Sequence, residues 1–576
     1  MPAFAAAHQV HQPGPAIDAS VVAQRGADLI WRALERAGVE NVFGYPGGAT
    51  LPMYDALPDH PGIHHVLVRH EQGAAHMADG YARATGRVGV CSATSGPGAT
   101  NLVTGLACAF MDSVPVVAVT GQVSSPLMGR DAFQETDVIG MVGPITKHAF
   151  LVERVEDIEP TIQRAFSIAR SGRPGPVVVD IPKDVQLRSA APETGGSAAD
   201  AALGGADVAD LERAVALLAS ASRPVIIAGH GIRLSRAHAE LRTLAERIDA
   251  PVVTTLLGIG AIDESHPLAV GMLGMHGSAT ANRIVNDADV ILGVGLRFDD
   301  RVTGKLSAFA PRGQIIHADI DPTQIGKNVP TAVGIVADAG AVLFALAARL
   351  ERTARAEWRA RATAERARPR LSDNEDRIEL PPRLVVRAIR ETASDDAYFV
   401  ADVGQHQMWA AQHLRLTHPD RFITSGGLGA MGYALPAAIG VQLGRPASEV
   451  WAIAGDGGSQ MTIHELGTAV QEGAPVKLAI LNNGYLGMVR QWQQLFHDGR
   501  ISQTPISSPD YVKLAEAYGV LGLCVERRRD LEATLQRARS HSGPVVIDVR
   551  IEREANVWPI VPPGGANADL IEEPAG

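Results

Sequence analysis

The residues best suited to chemistry stand in the segment 455–487, GDGGSQMTIHELGTAVQEGAPVKLAILNNGYLG. Asp456 follows the apolar run VWAIA, and Asn482 and Asn483 follow the run KLAIL. If both runs are strands of one βαβ unit, these side chains lie at the carboxyl end of the sheet, where ligands bind. A carboxylate and an amide oxygen beside a helix N-terminus can hold Mg²⁺ against a diphosphate. The spacing therefore predicts a metal and diphosphate site.

Glycines support this interpretation, because Gly455 and Gly457 would let the backbone approach phosphate groups closely. The alternative is two ordinary βα turns, in which Asp456 caps a helix and Asn482–Asn483 forms a turn. A GDG motif alone would fit that alternative. GDG and NN separated by one crossover helix, each preceded by a strand, favour the diphosphate site.

A second candidate is Glu71, in HHVLVRHEQGAAHMADGYARATG. An apolar strand is predicted to end at Arg69 and a helix to begin near Gln72, so Glu71 would lie at the carboxyl end of a strand. Taken alone, it is typical of an acid at a helix N-terminus. The first three letters of a zinc-protease motif occur here, but His76 lies six positions after His70. The two rings would face different sides of a helix, which excludes that zinc site.

The elements that must position these residues are apolar runs alternating with helical patterns. Runs such as VGVCSAT and PVVAVTG, PVIIAG and ADVILGVG, and EVWAIAG, VKLAILNN and PVVIDV read as buried strands. Strands of this kind predict an α/β fold of parallel sheets covered on both faces. With 576 residues, we expect three doubly wound parallel-sheet domains, at 20–188, 207–351 and 380–556, and a C-terminal tail at 557–576. The coarse likeness of the first and last domains predicts that these two are related and flank a different middle domain.

Two connectors separate the domains. Residues 189–206 are small and polar, as expected of a linker. Residues 352–378 are rich in Arg and Glu and precede Pro381 and Pro382. That Arg-rich run could form an anion site, but a solvated helix is the favoured interpretation.

Composition narrows the function classes. The formal net charge of −11 argues against nucleic-acid binding. No apolar run approaches the roughly 18 residues of a membrane span. The first nineteen residues hold no Arg or Lys, which fits neither a secretory signal nor a transit peptide. Three cysteines without metal-ligand spacing suit a reducing compartment, so a cytoplasmic protein is expected.

The segment 455–487 resembles the cofactor signature of thiamine-diphosphate enzymes. There the Asp, the second Asn and a backbone carbonyl two residues later bind Mg²⁺, which implies Asp456, Asn483 and Tyr485 here. A Phe common in such segments is Ser459 in this chain. RHEQGAAHMADGYAR resembles the segment of the activating glutamate, so Glu71 would bond the pyrimidine ring and drive the tautomer that deprotonates the thiazolium. Shielding from water would help by raising its pKa.

Over about residues 20–570 the chain resembles the catalytic subunit of the acetohydroxyacid synthase family, also called acetolactate synthase. The resemblance rests on FGYPGGATLPMYDAL, SGPGATNLVTGLA, DAFQETD, ITKHAF, SGRPGPVVVDIPKDV, GMLGMHG, RFDDRVTGK, DVGQHQMW, GGLGAMGYALPAAIG, GMVRQWQ and VPPGGAN. It implies that pyruvate is decarboxylated on thiamine diphosphate and that the hydroxyethyl unit is joined to pyruvate or 2-ketobutyrate. This reaction is the first common step of valine, leucine and isoleucine biosynthesis.

The family also implies partners. The pyrimidine-binding domain (20–188) works against the diphosphate-binding domain (380–556) of a second subunit, so a homodimer or tetramer with its active sites at the interface is expected. The family usually pairs this chain with a separate small regulatory subunit, and no regulatory domain is expected to be fused to it. The central domain (207–351) is expected to associate with FAD, in a structural and not a redox role.

Site residues follow from the resemblance position by position. Near the reacting centre and its substrate channel it implies Gly48, Gln122, Phe133, Lys147, Met275, Arg301, Met488 and Trp492, with Arg301 holding a keto-acid carboxylate and Trp492 favouring 2-ketobutyrate. Around thiamine diphosphate it implies Val403, Gly404, Gln405, His406, Gly429, Met431, Gly455, Gly457, Gly458, Gly487 and Met488. For FAD it implies Arg173, His276, Gly277, Gly295, Arg297, Phe298, Asp319, Asp321 and Asp338.

Without the resemblance these residues have plainer interpretations. Met275, Met431 and Met488 would be core packing, and Arg301 a surface partner of Asp299 or Asp300. The central domain has no GxGxxG fingerprint, but it has GHG at Gly229–Gly231 and acids after a strand at Asp319 and Asp321. These residues alone leave open a nucleotide site or an α/β domain with ordinary polar loops, and FAD itself is implied by the resemblance.

Rival functions are a flavin-dependent pyruvate oxidase, an oxalyl-CoA decarboxylase, a glyoxylate carboligase, or a catabolic acetolactate synthase without FAD. A pyruvate oxidase should lack RFDDRVTGK and MVRQWQ, and glyoxylate carboligase lacks the glutamate supplied here by Glu71. From another class, a non-catalytic regulatory paralogue should have lost Glu71, Asp456 or Asn483, and all three are present.

Overall fold

The computed structural model describes residues 23–192, 205–366 and 380–574. It contains three six-stranded parallel sheets with helices on both faces, which confirms the predicted α/β class. The domain bounds at 20–188, 207–351 and 380–556 stay predictions, and residues 20–22 lie outside the described part. No helix within the described ranges is both long and apolar enough to cross a bilayer.

The N-terminal domain builds its sheet from short strands, of which the central ones are fully buried. Its strands are β1 (Gln24–Arg25), β2 (Asn41–Tyr45), β3 (His64–Leu67), β4 (Gly89–Ala93), β5 (Val116–Gln122), β6 (His148–Leu151), β7 (Val177–Pro182) and β8 (Ser189–Ala190). Its helices are α1 (Gly26–Arg36), α2 (Leu51–Ala56), α3 (Glu71–Thr85), α4 (Pro97–Asn101), α5 (Val103–Met111), α6 (Val138–Val142), α7 (Ile158–Arg170) and α8 (Lys183–Leu187). The parallel order is β3-β2-β4-β5-β7-β6, and β1 pairs antiparallel with β8.

The middle domain repeats the alternation with a different strand order. Its strands are β9 (Pro224–Ala228), β10 (Val252–Thr254), β11 (Ala269–Met272), β12 (Val290–Val294), β13 (Gln314–Asp319) and β14 (Val333–Val336). Its helices are α9 (Val208–Ser220), α10 (His230–Leu234), α11 (His238–Ile248), α12 (Ala279–Asp287), α13 (Asp300–Thr303), α14 (Ala339–Arg349) and α15 (Ala356–Arg366). The order β11-β10-β9-β12-β13-β14 is that of dinucleotide-binding sheets.

The C-terminal domain carries the diphosphate segment. Its strands are β15 (Tyr398–Ala401), β16 (Phe422–Thr424), β17 (Val450–Gly455), β18 (Lys477–Asn482), β19 (Leu521–Val525) and β20 (Val545–Arg550). Its helices are α16 (Pro382–Thr392), α17 (Gln405–His413), α18 (Ala434–Gly444), α19 (Asp456–Thr462), α20 (Leu466–Gln471), α21 (Gly487–Phe496), α22 (Tyr511–Ala517) and α23 (Arg528–Ser540). The order β16-β15-β17-β18-β20-β19 repeats that of the N-terminal sheet, so the two outer domains are alike and the middle one differs.

The outer domains share one hydrophobic core, in which α3 packs against α18. A Cβ on Gly80 would stand 2.2 Å from the Ala437 carbonyl oxygen, and one on Gly440 would stand 2.0 Å from that of Met77. Any side chain at either glycine would force the two backbones apart. The N-terminal and C-terminal sheets are therefore held against each other within one chain.

The connectors differ in part from expectation. Residues 193–204 of the predicted linker and residues 367–378 of the Arg-rich run lie outside the described residues. A helix does form in the Arg-rich run, α15, and most of its residues are exposed, as expected of a solvated helix, but one face is buried. Trp358 and Ala362 are buried in the middle-domain core, and Trp358 Nε1 donates to the Pro224 carbonyl at 2.9 Å. In the sequence, the many Arg and Glu residues make this apolar face of α15 hard to recognise.

The C-terminal segment returns to the middle domain. The Val561 N–H donates to the Met275 carbonyl at 2.9 Å, and Asn567 Nδ2 donates to the Val302 carbonyl at 3.0 Å. The segment predicted as a tail thus packs beside the loop that carries Arg301.

Candidate active site

The diphosphate segment forms a small pocket at the carboxyl end of β17 and β18. Asp456 begins α19, and its Oδ2 accepts from the Gly484 N–H at 2.9 Å. Asn483 Oδ1 accepts from the Tyr485 N–H at 3.1 Å. The pocket of about 60 Å³ is lined by all three residues that the signature implied as metal ligands, Asp456, Asn483 and Tyr485. Oxygen ligands from two adjacent turns suit a hard cation.

The two consecutive asparagines have different environments. Asn482 ends β18 and donates through Nδ2 to Asp548 Oδ1 on the neighbouring strand at 2.9 Å. Asn483 lines the pocket instead. One asparagine therefore satisfies a buried carboxylate of the sheet, and the next one is left for a ligand.

Burial makes the Asp456 carboxyl sensitive to charge. Desolvation raises its pKa to about 6, although hydrogen bonds from Gly484 and Ser508 act in the opposite sense. A divalent cation beside this carboxyl would favour its ionised form.

The opposite wall of the pocket is formed by α17. A Cβ on Gly455 would stand 2.8 Å from His406 Nδ1, and one on Gly404 2.7 Å from its Cε1, so glycines are needed where the ring packs. Burial lowers the pKa of His406 to about 3, which keeps the imidazole neutral. Among the described residues nothing bonds His406 Nε2. An unpaired buried nitrogen calls for a polar ligand group, and the helix N-terminus beside it suits an anion.

The remaining residues implied for thiamine diphosphate also gather here. Gln405 Nε2 donates to Gln491 Oε1 at 2.8 Å and to the Ala555 carbonyl at 2.9 Å, which fixes the amide beside Asn483. The pocket lining further includes Val403, Gly404, Met431, Gly457, Gly458, Gly487 and Met488. Gly429 lies on the adjoining loop and lines a larger cavity.

That larger cavity, of about 930 Å³, opens from the pocket toward the middle domain. Its size is in the range of sites for large organic ligands. Val403, Gly404, Met431 and Met488 line both spaces, so the two adjoin across these residues. Of the residues implied for substrate and FAD it is lined by Arg173, Met275, His276, Gly295, Arg297, Arg301, Asp319, Asp338 and Trp492.

Arg301 connects the middle and C-terminal domains at this cavity. Its guanidinium lies 5.6 Å from the centre of the Trp492 ring, and its Nη1 lies 3.1 Å from Met275 Sδ. The ion pair with Asp300 is longer, at 3.6 Å, and highly exposed. Asp299 caps α13 through the N–H groups of Arg301 and Val302. The guanidinium therefore faces an aromatic ring across the domain boundary as well as the surface.

The residues implied for FAD divide into two groups. Arg173, His276 and Asp319 belong to the group that lines the cavity. Arg173 pairs with Asp321, which lies outside the lining, at 3.4 Å. Burial raises the pKa of Asp319 to about 6, and His276 Nδ1 is buried without a partner among the described residues. The other group, Gly277, Phe298 and Asp321, does not line the cavity. Phe298 packs in the domain core.

Close backbone approach shapes the same wall. Gly295 has φ +63°, and a Cβ there would stand 2.5 Å from Gly231 Cα. Asp338 caps α14 and accepts from Ser235 Oγ at 2.8 Å. These turns bring the carboxyl ends of β9 and β12 together without side chains between them.

The N-terminal candidates lie elsewhere. Glu71 begins α3 and is buried, and Asn101 Nδ2 donates to its Oε2 at 2.9 Å. Neither cavity, as lined by described residues, includes Glu71, Gly48, Gln122 or Lys147. Glu71 and Gly48 instead flank Thr94 at the carboxyl end of their own sheet: Thr94 Oγ1 accepts from the N–H that follows Gly48, and a Cβ on Gly98 would lie close to both Thr94 and Glu71.

Three further N-terminal candidates have individual environments. Gln122 Nε2 donates to Asp180 Oδ2 at 3.0 Å and to the Thr136 carbonyl at 2.8 Å, so its amide is already bonded. Lys147 Nζ donates to the Ser171 carbonyl at 2.5 Å, and burial lowers its pKa to about 8. Phe133 is 89% exposed.

Sequence reasoning missed several residues that hold these parts in place. Asp402 accepts from the Gly432 N–H at 2.9 Å, and the wholly buried Glu465 accepts from the N–H groups of Arg69 and His70, just before Glu71. Asp112 binds the loop of the large cavity. Asp402 stands in the block DVGQHQMW, which could have indicated it. Nothing local distinguishes Asp112 or Glu465, because the backbone groups that they bind in the other outer domain are hundreds of positions away.

Comparisons with known proteins find the same class of enzyme along most of the chain. The family model described as the N-terminal TPP binding domain of thiamine pyrophosphate enzymes matches residues 24–141. The models for the central domain and the C-terminal TPP binding domain of the same enzymes match residues 211–346 and 402–549.

Several curated proteins are similar over nearly their full length. The acetolactate synthase large subunit of Mycobacterium tuberculosis is 49% identical over 571 residues, covering 95% of this chain and 91% of that protein. The acetolactate synthase large subunit of Corynebacterium glutamicum is 48% identical, covering 95% and 90%. The acetolactate synthase isozyme 2 large subunit of Escherichia coli is 46% identical, covering 95% and 99%.

Proposed function

This chain belongs to the acetolactate synthase family of thiamine pyrophosphate enzymes, and we propose that it decarboxylates pyruvate and transfers the two-carbon unit to pyruvate or 2-ketobutyrate. This is the first common step of valine, leucine and isoleucine biosynthesis. The observation that carries the proposal is that the Asp456–Asn483 pocket adjoins the cavity lined by Arg301 and Trp492, with Met431 and Met488 lining both. A place for a diphosphate thus lies next to a place for a keto acid.

Mg²⁺ and the diphosphate group of thiamine diphosphate are the proposed ligands of the small pocket. Asp456, Asn483 and the Tyr485 carbonyl are the proposed metal ligands, and His406 and Gln405 the proposed diphosphate contacts. The fit rests on the unpaired His406 Nε2 and on glycines that leave the backbone open. When bound, thiamine diphosphate supplies a nucleophilic carbon and a sink for the electron pair released on decarboxylation.

Each protein group has a defined task in this mechanism. The Glu71 carboxyl would hydrogen-bond the cofactor's pyrimidine nitrogen, and Asn101 orients this carboxyl by donating to Oε2. Arg301 binds a keto-acid carboxylate, a role suited to its fixed set of N–H donors. Met431 and Met488, which line both spaces, keep water from the reacting carbon. Trp492 bounds the space for the acceptor side chain.

We place the complete active site between two copies of the chain. Glu71 lines neither cavity of its own chain, so a second N-terminal domain must bring it to Met431. Apolar side chains on the C-terminal domain support such an interface, since Leu428 is 43% exposed, Met461 53% and Val489 52%. Surfaces of this kind are typical of interaction sites. A dimer or a tetramer would satisfy this need.

FAD is the proposed ligand of the middle-domain wall. Arg173 and Arg297 offer cationic groups, the buried His276 Nδ1 lacks a partner among the described residues, and the cavity is large enough. The reaction has no net redox change, so FAD would stabilise the cavity and carry no hydride. We further propose a separate small regulatory subunit and a cytoplasmic location, as the family implies.

The test is turnover by the purified chain. The chain is given pyruvate with thiamine diphosphate, Mg²⁺ and FAD, and acetolactate, acetaldehyde and peroxide are assayed, with each cofactor omitted in turn. Acetolactate formation that requires thiamine diphosphate and Mg²⁺ supports the proposal. Acetaldehyde or peroxide as the main product would refute it in favour of a decarboxylase or an oxidase. If no product forms alone, the assay is repeated with a relative's small subunit, and continued inactivity counts against the proposal.

A further inference from the structure

The loop Ser425–Met431 forms part of the large cavity, and its backbone is held from outside its own domain. The Gly426 N–H donates to Asp112 Oδ2 at 2.9 Å, and the Gly427 N–H donates to Asp112 Oδ1 at 2.6 Å. Asp112 ends α5 of the N-terminal domain. Both oxygens of one carboxylate thus bind two consecutive N–H groups of a loop more than half the chain away.

The second half of the loop is fixed by a hydroxyl. Ser425 Oγ accepts from the N–H groups of Gly429 and Ala430, each at 3.1 Å, and Cys108 Sγ of α5 lies 3.2 Å from the same oxygen. Helix α5 therefore contacts both anchors of the loop. Its position sets where Gly429 and Met431 lie.

The charge of Asp112 is compensated inside the protein. Asp112 is 1% exposed, and Arg83 Nη2 donates to its Oδ2 at 2.8 Å. Arg83 also bonds Asp79 at 2.7 Å, and Asp79 accepts from the hydroxyl of Tyr433, which stands just beyond the loop. The network starts at Gly426 and returns to the far end of the same loop. A buried ion pair this well bonded serves position more than net stability.

The loop backbone packs closely against its neighbours at Gly427. A Cβ on Gly427 would stand 2.8 Å from Asp112 Oδ1 and 3.1 Å from Arg297 Nη2. Residues of all three domains therefore meet at this glycine, on the wall of the cavity. A contact whose only purpose was to join two domains would not require a side-chain-free backbone facing the cavity.

We infer that Asp112, compensated by Arg83, is a positioning residue that fixes the loop Ser425–Met431 beneath the reacting groups. This inference rests on the proposed function. It gives the N-terminal domain two tasks, since Glu71 serves the cavity of a second copy while Asp112 shapes the cavity of its own chain.

The test compares Asp112→Asn with Asp249→Asn. Asn at 112 keeps the shape but turns one acceptor into a donor facing an N–H. Asp249 is a matched control because it is a buried carboxylate that accepts from the Arg355 N–H at 2.8 Å and pairs with Arg359, in the middle domain. At saturating cofactors we expect kcat of Asp112→Asn to fall on the order of tenfold to a hundredfold, with a smaller change in the KM for pyruvate. The control should lose thermal stability but keep kcat.

Amide hydrogen exchange gives a readout that needs no activity. The peptide containing residues 425–431 should exchange faster in Asp112→Asn than in the unsubstituted protein or the control. Unchanged exchange and unchanged kcat would overturn the inference. An inactive unsubstituted chain would instead count against the proposed function, and exchange would still decide the inference.

If Asp112→Asn does not fold, Arg83→Lys replaces it in the test. Arg83→Lys keeps the charge and both carboxylates but cannot bond Asp79 and Asp112 in the same planar geometry. Lower kcat with faster exchange in the loop supports the inference. Normal kcat and normal exchange in Arg83→Lys refute it.

Discussion

The N-terminal and C-terminal domains have the same strand order, yet they treat the carboxyl ends of their sheets differently. In the C-terminal domain these ends converge on a pocket whose walls, Asp456, Asn483 and His406, all come from one chain. In the N-terminal domain the same edge presents Glu71 and an exposed Gly48, and no described cavity encloses them.

Under the proposed function, one fold supplies two kinds of half-site. The C-terminal domain uses glycine turns to make space, whereas the N-terminal domain would offer a carboxyl to a ligand held by a second copy. Two copies related by a twofold axis would satisfy both needs, because each edge would meet the complementary edge of the other chain.

The largest effect expected is on the N-terminal half-site. Glu71→Gln keeps the hydrogen-bonding shape but removes the carboxyl, so kcat should fall roughly 10²–10⁴-fold, as for other proton-handling groups. Steady-state kinetics with pyruvate measure it, and cofactor titration checks that Mg²⁺ and thiamine diphosphate still bind. Near-normal kcat would show that Glu71 plays no catalytic part.

Mixing two inactive variants tests whether the half-sites come from different chains. Glu71→Gln and Asp456→Ala should each be inactive. After unfolding and refolding together, random pairing should restore about one quarter of normal activity, since each mixed dimer has one intact site. Absence of any recovery, with mixed dimers demonstrated by differential tags, would place both halves of the site in one chain.

The adjacent asparagines sharpen the account of the C-terminal half-site. Asn483→Ala should raise the dissociation constant of thiamine diphosphate with Mg²⁺ by roughly tenfold or more, the loss of one good polar contact. Asn482→Ala should leave affinity unchanged but cost about 1–3 kcal/mol of unfolding free energy, because Oδ1 of buried Asp548 loses its donor while Oδ2 keeps its ion pair with Arg550. Calorimetric titration and thermal unfolding separate the two effects, and the reverse pattern would contradict the assignment.

The smallest effect expected concerns acceptor choice. Trp492→Ala should lower the preference for 2-ketobutyrate over pyruvate by about tenfold, since one methylene of difference is worth about that much in a shaped pocket. Product ratios from mixed substrates measure this. Phe496→Ala, which removes the ring packed on Trp492 at 6.0 Å, is the control and should change the ratio less. Equal product ratios in the unsubstituted protein and in both variants would show that Trp492 does not select the acceptor.

Local pattern predicts most of this architecture because its signals are short-range. Alternating apolar runs gave the three sheets, and the GDG and NN turns predicted the pocket with Asp456 and Asn483, because each stands at the end of a strand. In the Arg-rich connector the local pattern did not predict the buried face of α15. Trp358 and Ala362 form an apolar face that is too narrow to stand out among the charges around it.

Contacts between residues far apart in sequence cannot be predicted from local patterns. Asp112 meets Gly426, and Glu465 meets Arg69, only after the outer domains pack together. The neighbourhood of Asp112 in sequence, a helix end, is ordinary. The structure alone shows which carboxylates are shared between domains.

The crossing of α3 and α18 also has a consequence for synthesis on the ribosome. The glycine and alanine face of α3 emerges early, and the helix that covers it is translated only after more than half of the chain has followed. At roughly 5–20 residues per second, this face stays uncovered for tens of seconds. A nascent chain in this state exposes apolar surface, so we expect chaperone dependence during expression to fall on the first domain.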